Sequence, residues 1–159
     1  MAFAALTLTT ACGAGEAAVD QAVLFSALDG KLVREGKPVA GATIIREWDF
    51  AEDRVHGIDR ATTDMQGRFQ FPPVLHSYQK ARFLPQQAVV TQLIKVQLGD
   101  AEWRVWAASK HDLKAGTEAV AGPADGTDPG VPLDIVVDLD SPMALRGQVA
   151  GHTIFGTAP

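Results

Sequence analysis

An acidic and aromatic cluster at residues 48–53 is the first place where the sequence could do chemistry. Trp48 and Phe50 stand there beside Glu52 and Asp53. Neighbouring carboxyl groups can share acid–base work when a cleft holds them, but no pattern around this cluster predicts a cleft. We therefore predict either an acidic and aromatic contact patch for a partner or an ordinary exposed loop.

Trp106 is the second candidate for a partner contact. Residues 99–100, Gly-Asp, predict a two-residue hairpin turn of type II′, because glycine stands first. Counting back from this turn pairs Leu93 with Trp106 on the polar face, where an aromatic side chain can anchor a partner. The alternative is burial of Trp106 beneath the connection 76–87.

The other predicted pairs are Leu98–Ala101, Val96–Trp103 and Ile94–Val105 on the core face, and Lys95–Arg104 and Gln97–Glu102 on the polar face.

The histidines and the remaining carboxylates form no recognisable metal motif. Zinc sites need three or four ligands at recognisable spacings, which are absent from the set His56, His76, His111 and His152. Asp125, Asp128 and Asp134 lie close together in a stretch rich in glycine and proline. We interpret this stretch either as a calcium-binding loop or as an ordinary solvated loop. We predict no catalytic residue, no metal site and no cofactor, and we leave calcium at Asp125 and Asp128 open.

Composition indicates one globular domain. The chain has 159 residues, of which 47% are hydrophobic and 21% charged, and these fractions are typical of a folded chain. The net charge is −5, whereas a nucleic-acid-binding protein needs a basic face. We therefore expect no nucleic-acid partner.

The N-terminus predicts a lipid anchor. Residues 1–11 are apolar or small, they carry no charge, and Cys12 is the only cysteine. The run LTTAC resembles the lipobox of bacterial lipoproteins, in which the cysteine is lipidated and becomes the first residue. We expect residues 1–12 to be a signal that lacks its basic start, with translation beginning upstream, and residues 13–22 to be a linker. The alternative is a cytoplasmic protein with an ordinary cysteine.

Short strands separated by turns fill the rest of the chain. Residues 23–159 predict an all-β domain, an antiparallel β-sandwich of seven or eight strands, because β-branched and aromatic runs alternate with turn residues. A turn is expected at Asp29–Gly30, and a charged loop at residues 51–57. The candidate strands are residues 23–28, 31–34, 41–50, 58–63, 68–71, 88–98, 101–109, 133–140 and 144–156.

The stretch at residues 62–74 has the clearest local pattern. Asp64 and Gly67 occupy the first and fourth positions of a type I turn, where each is favoured. Beyond the turn, Phe69 and Phe71 alternate with polar residues, and two prolines follow. The pattern predicts a hairpin with one buried and one exposed face.

These segments resemble the carboxypeptidase regulatory-like domain, a transthyretin-like sandwich related in shape to immunoglobulin domains. The matching residues are Gly30, Gly36, Pro38, Val39, Gly41, Ala42, Thr63, Asp64, Gly67 and Phe69. Residues 24–110 are also similar to an uncharacterised bacterial single-domain family of this type. The resemblance implies a non-catalytic accessory or binding module of the cell envelope.

We therefore expect a non-enzymatic, lipid-anchored module of the periplasm or cell envelope that binds a protein. An immunity-type role against a secreted toxin is the sharper form of this hypothesis. The expected contact residues are Trp48, Phe50, Glu52, Asp53 and Trp106. The alternative is a carbohydrate-binding domain in which Trp48 and Trp106 stack on sugar rings. Contact with a membrane is expected only through the lipid on Cys12.

Overall fold

The protein is built from β-strands alone in the part of the chain that the structure describes. The computed structural model describes residues 19–79, 88–118 and 132–141, together with the backbone of three short strands between residues 144 and 155. Cys12, Asp125 and Asp128 lie outside these residues. The predicted all-β sandwich is confirmed.

Thirteen strand segments are described, more than the seven or eight predicted, because several long strands are interrupted by bends. They are β1 (Val19–Phe25), β2 (Leu28–Arg34), β3 (Lys37–Pro38), β4 (Thr43–Phe50), β5 (Val55–Thr62), β6 (Arg68–Phe71), β7 (Val74–Gln79), β8 (Val90–Leu98), β9 (Ala101–Lys110), β10 (Leu133–Asp138), β11 (Ala144–Arg146), β12 (Val149–Gly151) and β13 (Thr153–Phe155).

Two sheets form the layers of the sandwich. One has the strand order β13-β10-β2-β3, with β6 also paired to β2, and the other has the order β11-β12-β9-β8-β4-β5. A two-stranded ribbon of β1 and β7 continues the first layer beyond bends at residues 26–27 and 72–73. Strands β2 and β10 are parallel, so the expectation of a purely antiparallel arrangement needs this correction. A long connection precedes β10, as a parallel pairing requires.

Strand β1 begins inside the segment that the sequence suggested as a linker. Val19 pairs with Gln79 and Asp20 with Tyr78, so the folded domain starts before residue 23. Gln21 is exposed while Ala22 is fully buried. From Ala22 to Phe25 every residue of β1 is buried. The part of β1 inside the suggested linker holds two polar residues, Asp20 and Gln21, and so resembles a linker in composition.

Gly30 lies within β2 and not in a turn. It pairs with Phe69 on one side and with Ile135 on the other. The ring of Phe69 covers it so closely that a Cβ atom on residue 30 would lie 2.1 Å from the Cζ atom of Phe69. Glycine is therefore required here by a close approach of side chain to backbone.

The turn at Asp64 forms as predicted, but the hairpin around it does not. The amide of Gly67 donates to the Asp64 carbonyl at 2.9 Å, and the Asp64 carboxylate accepts from the amides of Gln66 and Arg68. The strand before the turn, β5, pairs with β4, whereas β6 after it pairs with β2. The turn thus carries the chain from one sheet to the other, and Phe69 is buried between them.

The main core lies between the two sheets. Strands β2, β6 and β10 face β4, β8 and β9, and the buried apolar side chains of both layers form one cluster. Its largest members are Phe25, Leu28, Leu32, Ile44, Phe69, Phe71, Ile94, Trp106, Leu133, Ile135 and Leu139. A smaller cluster lies where β1 packs against the end of β4 and β8, formed by Ala22, Leu24, Phe50 and Val90.

A β-bulge in the β8–β9 hairpin reverses the predicted position of Trp106. The pairs from Leu98–Ala101 to Lys95–Arg104 form as predicted, but Ile94 pairs with Trp106 and not with Val105. Because Val105 is the extra residue of the bulge, every later side chain of β9 changes face. Trp106 is fully buried in the core, so its assignment as a partner contact is corrected.

We expect Trp106→Ala to lower the free energy of unfolding by about 3–5 kcal/mol, because the change leaves a large cavity in the core. Chemical denaturation would measure it. Trp103→Ala is the matched control, since Trp103 precedes the bulge and is only partly buried. A loss for Trp106→Ala no larger than that for the control would contradict the position assigned to Trp106.

Candidate functional site

The β4–β5 hairpin distributes the acidic and aromatic cluster over two faces of a sheet. The connecting turn occupies residues 51–54, and Arg54 takes a φ of 55° at its end, as four-residue hairpin loops built on a type I turn often require. Strand β5 therefore begins at Val55, three residues before the expected strand. Along β4, Trp48 and Phe50 face inward and Asp49 faces outward, because side chains alternate.

The inward aromatic residues are structural. Phe50 is 1% exposed and belongs to the smaller core cluster, so it is not the surface contact that the sequence suggested. Trp48 is partly buried and packs against both clusters. Its ring lies on Gly57, where a Cβ atom would come within 2.2 Å of Trp48 Cζ2. Trp106 is fully buried and presents no ring face on which a sugar could stack, whereas Trp48 keeps part of its surface exposed.

Glu52 and Asp53 are exposed, and both are already engaged. A carboxylate oxygen of Glu52 accepts a hydrogen bond from the amide of Val89 at 3.0 Å. Asp53 contacts the Nε2 atom of His76 at 2.8 Å. These contacts fasten the hairpin turn to the start of the β8 segment and to β7, so the turn is held in place by its own acidic residues.

A pocket of about 430 Å³ lies on the outer face of the second sheet, and we refer to it as the outer pocket. Strand register explains it, because Asp49 stands between His56 and Thr91 while Glu47 stands between Ile58 and Leu93. Trp48 and Gly57 complete its lining. Strands β4 and β5 thus contribute three residues each, and β8 contributes two, to one surface depression.

The charges around the outer pocket are unevenly placed. Glu47 forms an ion pair with Lys95 at 2.8 Å. Asp49 is exposed and has no hydrogen-bond or ion-pair partner among the residues that the structure describes. Arg60 lies on the same outer face of β5, two residues beyond Ile58. The end of the surface near the hairpin turn is therefore acidic, and the opposite end is basic.

Arg46 lies behind the outer pocket, on the inner face of β4, and is fully buried. Its guanidinium donates two hydrogen bonds to Asp59, at 3.1 Å from Nε and 2.6 Å from the second terminal nitrogen. It also donates to the carbonyls of Ser26 and Pro72. The rings of Phe25, Trp48 and Phe71 surround it, with centroids 4.6–5.7 Å from the guanidinium carbon.

A second buried polar network closes the end of the sandwich. The Glu118 carboxylate accepts hydrogen bonds from the amide and hydroxyl of Ser26, from the side-chain amide of Gln92 and from the ammonium of Lys110. The side chains of Lys110 and Glu118 have no exposed surface. Gly116 donates to the Ser26 hydroxyl at 2.8 Å. The network holds the segment after β9 against the β1–β2 bend.

A comparison with models of known protein families assigns the chain to a family. The family model described as "Domain of unknown function (DUF6795)" matches residues 28–125, well over half of the sequence. The chain belongs to the DUF6795 family. The matched region contains the outer pocket and most of both buried networks, whose members Phe25 and Ser26 precede it. No curated protein matches the DUF6795 chain.

One solved structure is similar to the DUF6795 protein, the crystal structure of chlorocatechol 1,2-dioxygenase from Pseudomonas putida. The identity is 15% and the TM-score 0.38, and the match covers 70% of the DUF6795 chain. The chain spans 57% of the length of that enzyme.

Neither a metal-binding cluster nor a membrane-spanning helix occurs among the described residues. The described part of the DUF6795 protein contains no group of three or more His, Cys, Asp and Glu side chains that could hold a metal ion. Asp134, from the acidic loop, lies exposed in β10. No helix within the described ranges is long and apolar enough to cross a bilayer.

Sequence reasoning missed most of the outer pocket. Of its residues, Trp48 and Asp49 lie in the cluster at residues 48–53, and Leu93 is an apolar residue on the polar face of β8. Glu47, His56, Ile58 and Thr91 are unremarkable in sequence, since their common surface depends on which strands are neighbours. The buried network around Glu118 was missed for the same reason.

The buried network predicts a pH dependence of stability. Burial lowers the pKa of Lys110, and Glu118 opposes the shift without cancelling it. Between this lowered pKa and the ordinary lysine pKa of 10.5, the unfolded chain binds more protons than the folded chain. Stability therefore rises with pH through this window.

Chemical denaturation from about pH 7 to about pH 10 would measure this rise in the wild type and in variants. We expect Lys110→Met to remove the contribution of Lys110, so its slope against pH should be smaller. Lys114→Met, at an exposed lysine of the same segment, should keep the wild-type slope. Equal slopes for all three proteins would refute the assignment.

Proposed function

We propose that this DUF6795 protein is a non-enzymatic binding module of the cell envelope and that its partner is a protein. The observation that carries the proposal is the outer pocket, which combines exposed aliphatic surface with a carboxylate, Asp49, that has no partner among the described residues. Ile58 is 48% exposed at its edge. Apolar surface bordered by charged groups is the usual composition of a protein contact site.

The arrangement of polar groups in the pocket supports binding over catalysis. His56 and Asp49 are opposite each other across the β4–β5 pair, yet no hydrogen bond joins His56 to Asp49 or to Thr91 in the structure. A general base normally needs such an orienting partner. A surface whose charged groups are free to meet an external group is suited to recognition.

The motif residues support a relationship between the DUF6795 sandwich and the carboxypeptidase regulatory-like domain. Ala42 and Thr63 exchange hydrogen bonds, the amide of Ala42 donating to the Thr63 hydroxyl and the amide of Thr63 to the Ala42 carbonyl, both at 2.9 Å. Gly30 lies beneath Phe69, and Gly67 takes a φ of 73° in the turn. The motif residues thus fix the crossover between the sheets. The resemblance to carboxypeptidase regulatory-like domains favours an accessory role for this protein.

The contact surface in this proposal differs from the one suggested by the sequence. Ile58, Leu93, Glu47 and Asp49 replace Trp48, Phe50 and Trp106, whose rings serve the core. Glu52 and Asp53 remain at the acidic end of the same surface. In the sharper form of the proposal the partner is a secreted toxin and the module neutralises it as an immunity protein.

Site-specific crosslinking tests the proposed surface. A photoreactive side chain at position 58 of the full chain, expressed in its own cell, should give a defined protein adduct that disappears with Asp49→Lys. Position 75 is the matched control, because Leu75 is 44% exposed, close to the value for Ile58, but lies on β7. The same adducts at both positions, or no adduct at position 58, would refute the proposal.

The envelope location is tested by the fate of Cys12. The proposal expects the gene, expressed from its native upstream region, to give a mature product in the membrane fraction whose mass includes a lipid on this cysteine. Because lipidation requires the thiol, Cys12→Ala should abolish both the added mass and the membrane association. An unmodified wild-type chain in the cytosolic fraction would remove the lipid anchor from the proposal.

A further inference from the structure

Strand β5 is the open edge of the six-stranded sheet. It pairs with β4 and has no second neighbour among the described strands. In an antiparallel pair, every second residue of the outer strand turns its amide and carbonyl groups away from its partner. Every second one of the eight residues of β5 therefore contributes to a row of backbone hydrogen-bonding groups beside the outer pocket.

We infer that the partner adds an extended segment to β5 as a further strand, with a Lys or Arg, a large aliphatic residue and an Asp or Glu at successive alternate positions. This inference rests on the proposed protein-binding function and names the recognition element. The backbone pairing supplies affinity, while the side chains that fall on the outer face supply selectivity.

The order of the three side chains follows from the outer face of β5. Along β5, the alternate residues His56, Ile58 and Arg60 point outward, in that order. An added strand would place every second one of its own side chains beside them. An aliphatic side chain packs on Ile58, and a carboxylate meets Arg60. The remaining position lies beside His56, with Asp49 immediately behind it on β4.

The distance to Asp49 selects a long cationic side chain. Neighbouring strands are about 4.8 Å apart, so an added strand lies about two such spacings from β4. Only Lys or Arg combines a positive charge with the length to reach over His56 to Asp49. Asp49 has no competing partner among the described residues, whereas Glu47 is already paired with Lys95.

The inner face of β5 limits unspecific pairing at the same edge. Asp59 points inward and is bound by Arg46, and an inward charge on an edge strand is a recognised protection against aggregation. The exposed His56 and Arg60 disfavour a wholly apolar strand. The edge therefore favours a segment with complementary charges, which is how an interface gains specificity.

Selection from displayed random peptides of about twelve residues against the immobilised full chain tests the inference. The enriched sequences should carry the alternating cation, aliphatic and acid pattern, in one direction or its reverse. Asp49→Lys should weaken a selected peptide at least about tenfold, whereas Leu75→Glu should leave its affinity unchanged. N-methylation of one alternate set of peptide amides should abolish binding, and N-methylation of the other set should not, because only one set faces β5. Hydrogen exchange should show protection of β5 amides.

The outcomes separate this inference from the proposed function. If no peptide is enriched, if the pattern is missing, or if the protection falls outside β5, strand addition is refuted. The Asp49-dependent adduct at position 58 would then still support a protein partner of a different shape. If the peptide selection fails and the adduct at position 58 is also absent, both strand addition and the proposed protein-binding function are refuted.

Discussion

The structure depends most on the buried guanidinium of Arg46. Removing a charge from water is costly, so a buried arginine persists only when its donors are satisfied. Here a planar fork of hydrogen bonds binds Asp59 on β5, and the other donors reach the carbonyls of Ser26 and Pro72. Those carbonyls belong to the two bends where the first layer continues into the β1–β7 ribbon. One side chain on β4 therefore fixes the edge strand, both bends and the separation of the layers.

The β-bulge at Val105 has a comparably wide effect. One extra residue in β9 changes the face of every side chain that follows it. Trp106 enters the core, and Lys110 turns inward to meet Glu118 at 2.9 Å. Because Glu118 also binds Ser26 and Gln92, the segment after β9 closes over the end of the sandwich. A local irregularity in one hairpin thus determines both core packing and the position of a remote segment.

The β4–β5 hairpin separates stabilising from recognising side chains by alternation alone. Arg46 and Trp48 lie inward and hold the hairpin to the core, whereas Asp49 and Ile58 lie outward on a surface that no described element covers. A rigid strand pair behind a contact surface keeps its charges in place before a partner arrives, which reduces the ordering required on binding. The same two strands can therefore serve the fold and the proposed interaction without conflict.

The sequence by itself determined the local features, because neighbouring residues decide them. The turn at Asp64 and Gly67, the type II′ turn at Gly99 and the burial of Phe69 follow from backbone preference and alternation. The tertiary structure alone decided the partners of each strand, the bulge at Val105 and the outer pocket. These depend on contacts between residues far apart in the chain, where the free energy of packing outweighs local preference, and no spacing in the sequence records which strands become neighbours.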